Sequence, residues 1–293
     1  MDIKRIDLDL GLAEPLKVLH VSDSHFCLAD ERDGQRKIDL GAIRLKYELG
    51  ASMVELDFDE QRLKFERNLD ELFSYGKETC DLIVHTGDFI DFRSEPNLEV
   101  MREKLRAADA FYTPGSHEFS LYLGEAVEDD AYKMQSWDLI AAAAPNALDF
   151  AVRIVRGVRF IAMDNSYYRF TGVQFAALEA ELRTVMPTVV CVHTPLFEEE
   201  LFRRRSADNH LGYCALVAPP DRYLKNYPEA QIETQKPDAA TREVYRLIDA
   251  SPQIRAILAG HLHDFYCTTM PGGAVQICVG AGFRGEAAEI VLS

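Results

Sequence analysis

Five of the eight histidines stand where a short apolar run gives way to polar residues: His25, His117, His193, His261 and His263. Asp23 and Asp88 share that location, and Gly87, Gly115 and Gly260 each precede a polar residue of a kind that can bind a ligand. Asp23 and His25 are two apart, and so are His261 and His263. On extended backbone, side chains two apart point the same way. Either pair therefore presents two donors together at a strand end. Imidazole and carboxylate suit first-row transition metals such as Mn, Fe, Zn or Ni. One pair alone is weak evidence. Two pairs, a strand-end Gly-Asp and a further strand-end His together exceed chance placement. Asp88 has two oxygens and can bridge two cations. Cations ~3.5–4 Å apart clamp a phosphoryl group and activate a water for in-line attack.

The elements that must carry these residues are short and alternate in type. The strand-like runs are VLHVSDSH (18–25), DLIVHTGDFID (81–91), AFYTPGSHE (110–118), RFIAMDNS (159–166), TVVCVHTP (188–195), RAILAGHLHD (255–264) and AVQICVGAG (274–282). Between them lie helical faces: Phe65, Leu69, Leu72 and Phe73; Leu98, Met101 and Leu105; Phe175, Leu178 and Leu182; Val244, Leu247 and Ile248. Strand alternating with helix predicts an α/β protein, with ligands beyond the carboxyl ends of the strands. Two stretches break the pattern. Residues 29–57 form a charged insertion directly after His25. Residues 195–240 show little periodicity and hold, after Pro195, four more prolines, Tyr213, Tyr223, Tyr227 and the run Arg203-Arg204-Arg205.

Composition narrows the function. The 293 residues, 47% hydrophobic, suffice for a sizeable core. No apolar run approaches a membrane span, and MDIKRIDLDL lacks the apolar stretch of a signal peptide. Six cysteines without a CxxC pair fit a reduced, cytoplasmic protein. A formal charge of −16 opposes general nucleic-acid binding, which draws its affinity from Lys and Arg on phosphates.

Taken in order, DSH (23–25), GDFID (87–91), GSHE (115–118), VHT (192–194) and GHLH (260–263) resemble the calcineurin-like metallophosphoesterase superfamily. The resemblance spans Val18 to about Gly282. It implies a single domain over 1–293, two packed mixed β-sheets flanked by helices, and a dinuclear metal centre between them. By the same resemblance Asp23, His25 and His263 would hold one metal, Asp88 would bridge, and His193 and His261 would hold the second. His117 would protonate the leaving oxygen or stabilise charge there, with Glu118 as its carboxylate partner. Ser116 stands where the family usually has an asparagine that binds the second metal. A short, neutral hydroxyl is a poorer ligand than an amide oxygen, so that metal is expected to be weaker, exchangeable or absent.

The remaining polar residues carry blander expectations. His20 and His85, inside strands, are expected to be packed or supporting residues, and Asp91 to structure its loop. Asp164 and Asn165 are expected to form a turn or support the ligands, and His210 to be solvated. Arg203, Arg204 and Arg205 read first as a solvated charge run, yet they are the best candidates for contacts to substrate phosphate. The expected function is hydrolysis of a small phosphomonoester or phosphodiester, with a nuclease as the lesser version. The competing expectation is a non-catalytic metal- or phosphate-binding regulator, which Ser116 alone favours.

Overall fold

The structure is a computed structural model that describes residues 1–48, 58–125 and 127–293. Of the charged insertion at 29–57, the part 49–57 lies outside the described residues. The strands are β1 (Asp2–Leu8), β2 (Leu16–Val21), β3 (Leu82–His85), β4 (Phe111–Tyr112), β5 (Phe150–Val155), β6 (Val158–Met163), β7 (Thr188–Cys191), β8 (Ile254–Ala259), β9 (Tyr266–Thr269), β10 (Val275–Cys278) and β11 (Glu286–Leu292). The helices are α1 (Gln35–Glu48), α2 (Phe58–Thr79), α3 (Glu95–Ala107), α4 (Asp130–Ala143), α5 (Gly172–Leu182), α6 (Glu199–Asp208), α7 (Asp221–Leu224), α8 (Glu229–Gln235) and α9 (Ala239–Ala250).

Two mixed sheets result. One has the order β1-β11-β2-β3-β4 and the other β5-β6-β7-β8-β10-β9. The strands that carry the polar ends, β2 with β3 and β7 with β8, run parallel, so their carboxyl ends open on one side.

Side-chain alternation along each strand explains the layering. Val18, Val84 and Phe111 of the first sheet meet Phe160, Val189 and Leu258 of the second in one cluster between the sheets. Their neighbours Leu19 and Ile83 turn outward against Leu69 and Leu72 of α2 and Leu98, Met101 and Leu105 of α3. Val190 and Ile257 turn the other way, against Leu178 of α5 and Val244 and Ile248 of α9. Strands buried on both faces read as continuous apolar runs, which is why the sequence shows no alternation there. The four apolar helical faces read from the sequence fall on α2, α3, α5 and α9.

The aperiodic stretch 195–240 is more regular than its sequence implied. It contains α6, α7 and α8. Its tyrosines hold the segment together: Tyr223 lies 4.9 Å from Phe197 and 4.7 Å from Phe202, and Tyr213 lies 5.2 Å from Tyr227, ring centre to ring centre. The helices are too short to show a periodicity, so aromatic packing rather than an apolar stripe fixes them.

Candidate metal centre

The loops after β2 and β3 are laced together by backbone. The amides of Asp23 and His25 donate to the carbonyls of Gly87 and Asp88, each at 3.0 Å, and Phe26 donates to Phe89 at 2.9 Å. Asp23, His25, Asp88, His261 and His263 all have left-handed backbone, with φ of 54°, 47°, 48°, 69° and 57°. This corrects the extended geometry expected for the two i, i+2 pairs. Each pair converges because its members both kink, not because a strand continues. Left-handed backbone costs a side-chain-bearing residue of order 1–3 kcal/mol and persists only when the surroundings impose it. Half of the ten such non-glycine residues described are in this one cluster.

Two glycines make room for the carboxylates. A Cβ on Gly115 would lie 2.1 Å from Asp88 Oδ1. One on Gly260 would lie 2.5 Å from Asp23 Oδ2 and 1.8 Å from Ser22 Oγ. Asp23 is then held by the amide of His261, at 3.0 and 3.2 Å from its two oxygens, and Asp88 Oδ1 by the amide of His117 at 3.0 Å.

Three overlapping groups of donor atoms form, each within 4.8 Å: Asp23, His25 and His263; His25, Asp88 and His117; Asp88, His193 and His261. Asp88 lies between the first group's His25, 3.9 Å from its Nε2, and the third group's His193, 3.1 Å from its Nε2. His263 Nε2 is 3.3 Å from Asp23 Oδ1 and 2.9 Å from His25 Nε2. Asp23, His25, Asp88 and His193 are buried, while the side chains of His263 and His117 are 25% and 32% exposed. The centre therefore opens to solvent past those two rings.

The donor set fits cations. His193 Nδ1 donates to the Thr86 carbonyl at 2.7 Å, so the nitrogen left for a proton or a cation is Nε2. That atom is fully buried, lacks a hydrogen-bond partner, and points at Asp88. A buried polar atom left unpaired costs about 1–3 kcal/mol unless something binds it. His25 is oriented the same way, with Nδ1 on Asp91 Oδ1 at 3.0 Å. Burial works against charge on Asp23, Asp88 and Asp91, but the surrounding imidazoles hold all three carboxyls below the usual range. Burial likewise opposes a proton on His193, yet Asp88 pushes it up to about 9. The field in this cleft calls for positive charge.

One expected pairing is corrected. Glu118 does not partner His117. Its fully buried carboxylate accepts the amides of Asp88, Phe89 and Gly115 at 3.1, 2.6 and 2.8 Å. It therefore locks the bridging loop. In a 3-10 turn, adjacent side chains point about a third of a turn apart, so neighbours in sequence diverge. The partner of His117 is Asp91, whose Oδ1 lies 2.6 Å from Nδ1. Ser116 opens the turn that carries His117, and its side chain makes no capping bond.

Supporting residues fall near where the sequence placed them. Asn165 accepts the amides of His193 and Thr194 at 3.1 and 3.0 Å. His85 Nε2 meets Ser24 Oγ and His20 Nε2 meets Thr86 Oγ1, both at 2.9 Å. Asp164 pairs with Lys133. His210 is exposed. The three arginines do not converge. Arg203 is exposed, and Arg204 lies 3.9 Å from Glu200 and over the Tyr266 ring. Arg205 alone comes beside the centre, 2.9 Å from Asp264, the residue after His263. Sequence reasoning missed Arg44 on α1, whose Nε donates to Asp91 Oδ2 at 2.6 Å, and Arg284, which donates to the His263 carbonyl at 2.9 Å. Neither has a motif to announce it.

No curated protein matches the sequence. Among solved structures, a dimetal phosphatase from Danio rerio is 13% identical with a TM-score of 0.48, over 92% of this chain and 89% of that one. The purple acid phosphatase PPD1 from yellow lupin is 12% identical with a TM-score of 0.50, over 93% of this chain and 45% of that one. A 5'-nucleotidase from Candida albicans is 12% identical with a TM-score of 0.40, over 96% and 47%. This chain thus spans about half the length of the last two. The family model for calcineurin-like phosphoesterases matches residues 16–265. The chain belongs to the calcineurin-like phosphoesterase family, hydrolases that act on phosphoric ester bonds.

Proposed function

We propose that this chain hydrolyses a small phosphomonoester or phosphodiester at a dinuclear centre. Asp23, His25 and His263 would hold one cation, His193 and His261 the other, and Asp88 both. The observation that carries this reading is the buried, unpartnered Nε2 of His193 aimed at Asp88, the carboxylate that lies between the two donor groups. Divalent cations there would neutralise phosphoryl oxygens and supply a nucleophilic water near neutral pH.

The protein's own groups supply position and a proton. His117 sits at the open edge with Nδ1 on Asp91, which turns Nε2 toward the centre, 3.9 Å from Asp88 Oδ2. Burial lowers its basicity, but Asp88 and Asp91 raise it further, so the ring carries a proton it can give to the leaving oxygen. Glu118 fixes the loop behind Asp88 and acts through it. Arg205 pairs with Asp264 and Arg284 donates to the His263 carbonyl, so both join the loop that carries His263, and Arg205 is the member of the arginine run kept as a substrate contact. The acidic surface favours a small substrate over a polymer.

The test is hydrolysis of a chromogenic phosphodiester and monoester in Mn²⁺. His117→Ala is expected to lower kcat by about 10²–10⁴-fold with metal content unchanged. A wild-type protein that fills with metal but turns over neither ester would instead favour the non-catalytic reading that rests on Ser116.

A further inference from the structure

We propose that Arg44, on the inserted helix α1, is a positioning residue for this centre. It holds the Asp91 carboxylate so that a single oxygen sets both His25 and His117. Asp91 is fully buried. Its Oδ1 takes the hydrogen bond of His25 Nδ1 at 3.0 Å and lies 2.6 Å from His117 Nδ1, which also lies 3.3 Å from the Asp91 main-chain carbonyl. One atom therefore orients a ligand on one side and the proton-bearing ring on the other. A carboxylate turns easily about its last bond, where rotamer preference is broad. Two bonds to the same oxygen do not stop that rotation. The bond from Arg44 Nε to Oδ2, at 2.6 Å, does. The fixed, planar guanidinium thus leaves Oδ1 facing both rings.

Helix α1 is itself fastened to the centre. A Cβ on Gly41, one turn before Arg44, would lie 2.4 Å from the Cys27 carbonyl oxygen, two residues past His25. Leu45 is buried with Cys27, Phe92 and Phe283. The Phe283 ring in turn lies 5.9 Å from that of His25 and 5.5 Å from that of His263. The Arg44 side chain is only 23% exposed, so its bond to Asp91 escapes most of the screening that weakens surface pairs. The insertion, which lies outside the five motifs, thus reaches His25 and His117 through α1, Arg44 and Asp91.

The rate readout rests on the phosphoesterase reading; the spectroscopic one does not. Arg44→Gln, Arg44→Lys and Gly41→Ala are compared with wild type. In metal-free protein with ¹⁵N-labelled histidine, Arg44→Gln is expected to lose or shift the protected Nδ1–H signals of both His25 and His117 while that of His193, held by the Thr86 carbonyl, stays. In saturating Mn²⁺ with a chromogenic phosphodiester, kcat is expected to fall about 10–100-fold, the usual effect of removing a partner behind a ligand, with KM within about threefold. Arg44→Lys restores part of the loss. Gly41→Ala pushes α1 off the Cys27 carbonyl and reproduces the kcat loss, and the double variant with Arg44→Gln is no worse than Arg44→Gln alone. Unchanged His25 and His117 signals in Arg44→Gln, or a loss that falls on KM alone, would overturn the proposal. If the wild type hydrolyses no ester, the phosphoesterase reading fails and the imidazole signals alone decide the role of Arg44.

Discussion

His193 shows how one residue's surroundings dictate its chemistry. The Thr86 carbonyl holds its Nδ1, and burial denies Nε2 any solvent, leaving it only Asp88 to face. His20 and His85 show the opposite outcome. Burial pushes both down to about 3, so they fold neutral. These opposed shifts give the metal-free protein a stability maximum near pH 6.5. Below that pH the unfolded chain protonates His20 and His85 and the folded one does not, so stability falls toward pH 3, by at most about 1.4 kcal/mol per pH unit for each. Above it, His193 keeps its proton in the fold and not in the unfolded chain, and that contribution is lost as pH rises through about 9. Metal replaces that proton, so loading moves the maximum upward. Urea midpoints from pH 4 to 9, with and without Mn²⁺, check this; a metal-free maximum above pH 8 would contradict it. Ser116 makes a second prediction. Ser116→Asn supplies an amide oxygen and is expected to tighten the weaker metal site about tenfold or more, read by competition with a chelator. Unchanged affinity would remove the position from the centre.

At the level of strands and loops, the ligand positions could be read because each sits within a few residues of a strand end, and strand ends are visible as apolar runs that stop. The way the ligands converge could not. Left-handed backbone at Asp23, His25, Asp88, His261 and His263 has no sequence signal, since these residue types also occupy ordinary loops. The glycines that permit the close approach do have one. Gly115→Ala would drive a methyl into Asp88 Oδ1. It is expected to cost about 1–3 kcal/mol of stability and to reduce metal uptake at both sites, because Asp88 serves both. Thermal unfolding with elemental analysis of the purified variant tests this; full metal uptake would show that Asp88 does not need that space. The partnership of Asp91 with His117 was missed for a geometric reason: Glu118 is adjacent in sequence, but the turn points it into the loop behind Asp88. Arg44 was beyond reach, because an insertion carries no motif and its contact spans 47 positions.

Across the molecule, the two sheets bring together loops that are far apart in the chain. β2 and β3 deliver Asp23, His25 and Asp88, while β7 and β8 deliver His193, His261 and His263. The apolar cluster between the sheets sets their separation. Hence motifs more than two hundred residues apart close one site. Among the described residues no helix is long and apolar enough to cross a membrane. The charge of −16 leaves the cleft in an acidic field that draws cations and repels polyanions. The central claim, that this cleft is a two-cation centre, is tested most directly by metal content per chain. Elemental mass spectrometry on protein purified without chelator or a metal-binding tag, then reconstituted with Mn²⁺, is expected to give about two ions per chain, falling to about one in His193→Ala. No uptake on reconstitution, or uptake that His193→Ala leaves unchanged, would contradict it.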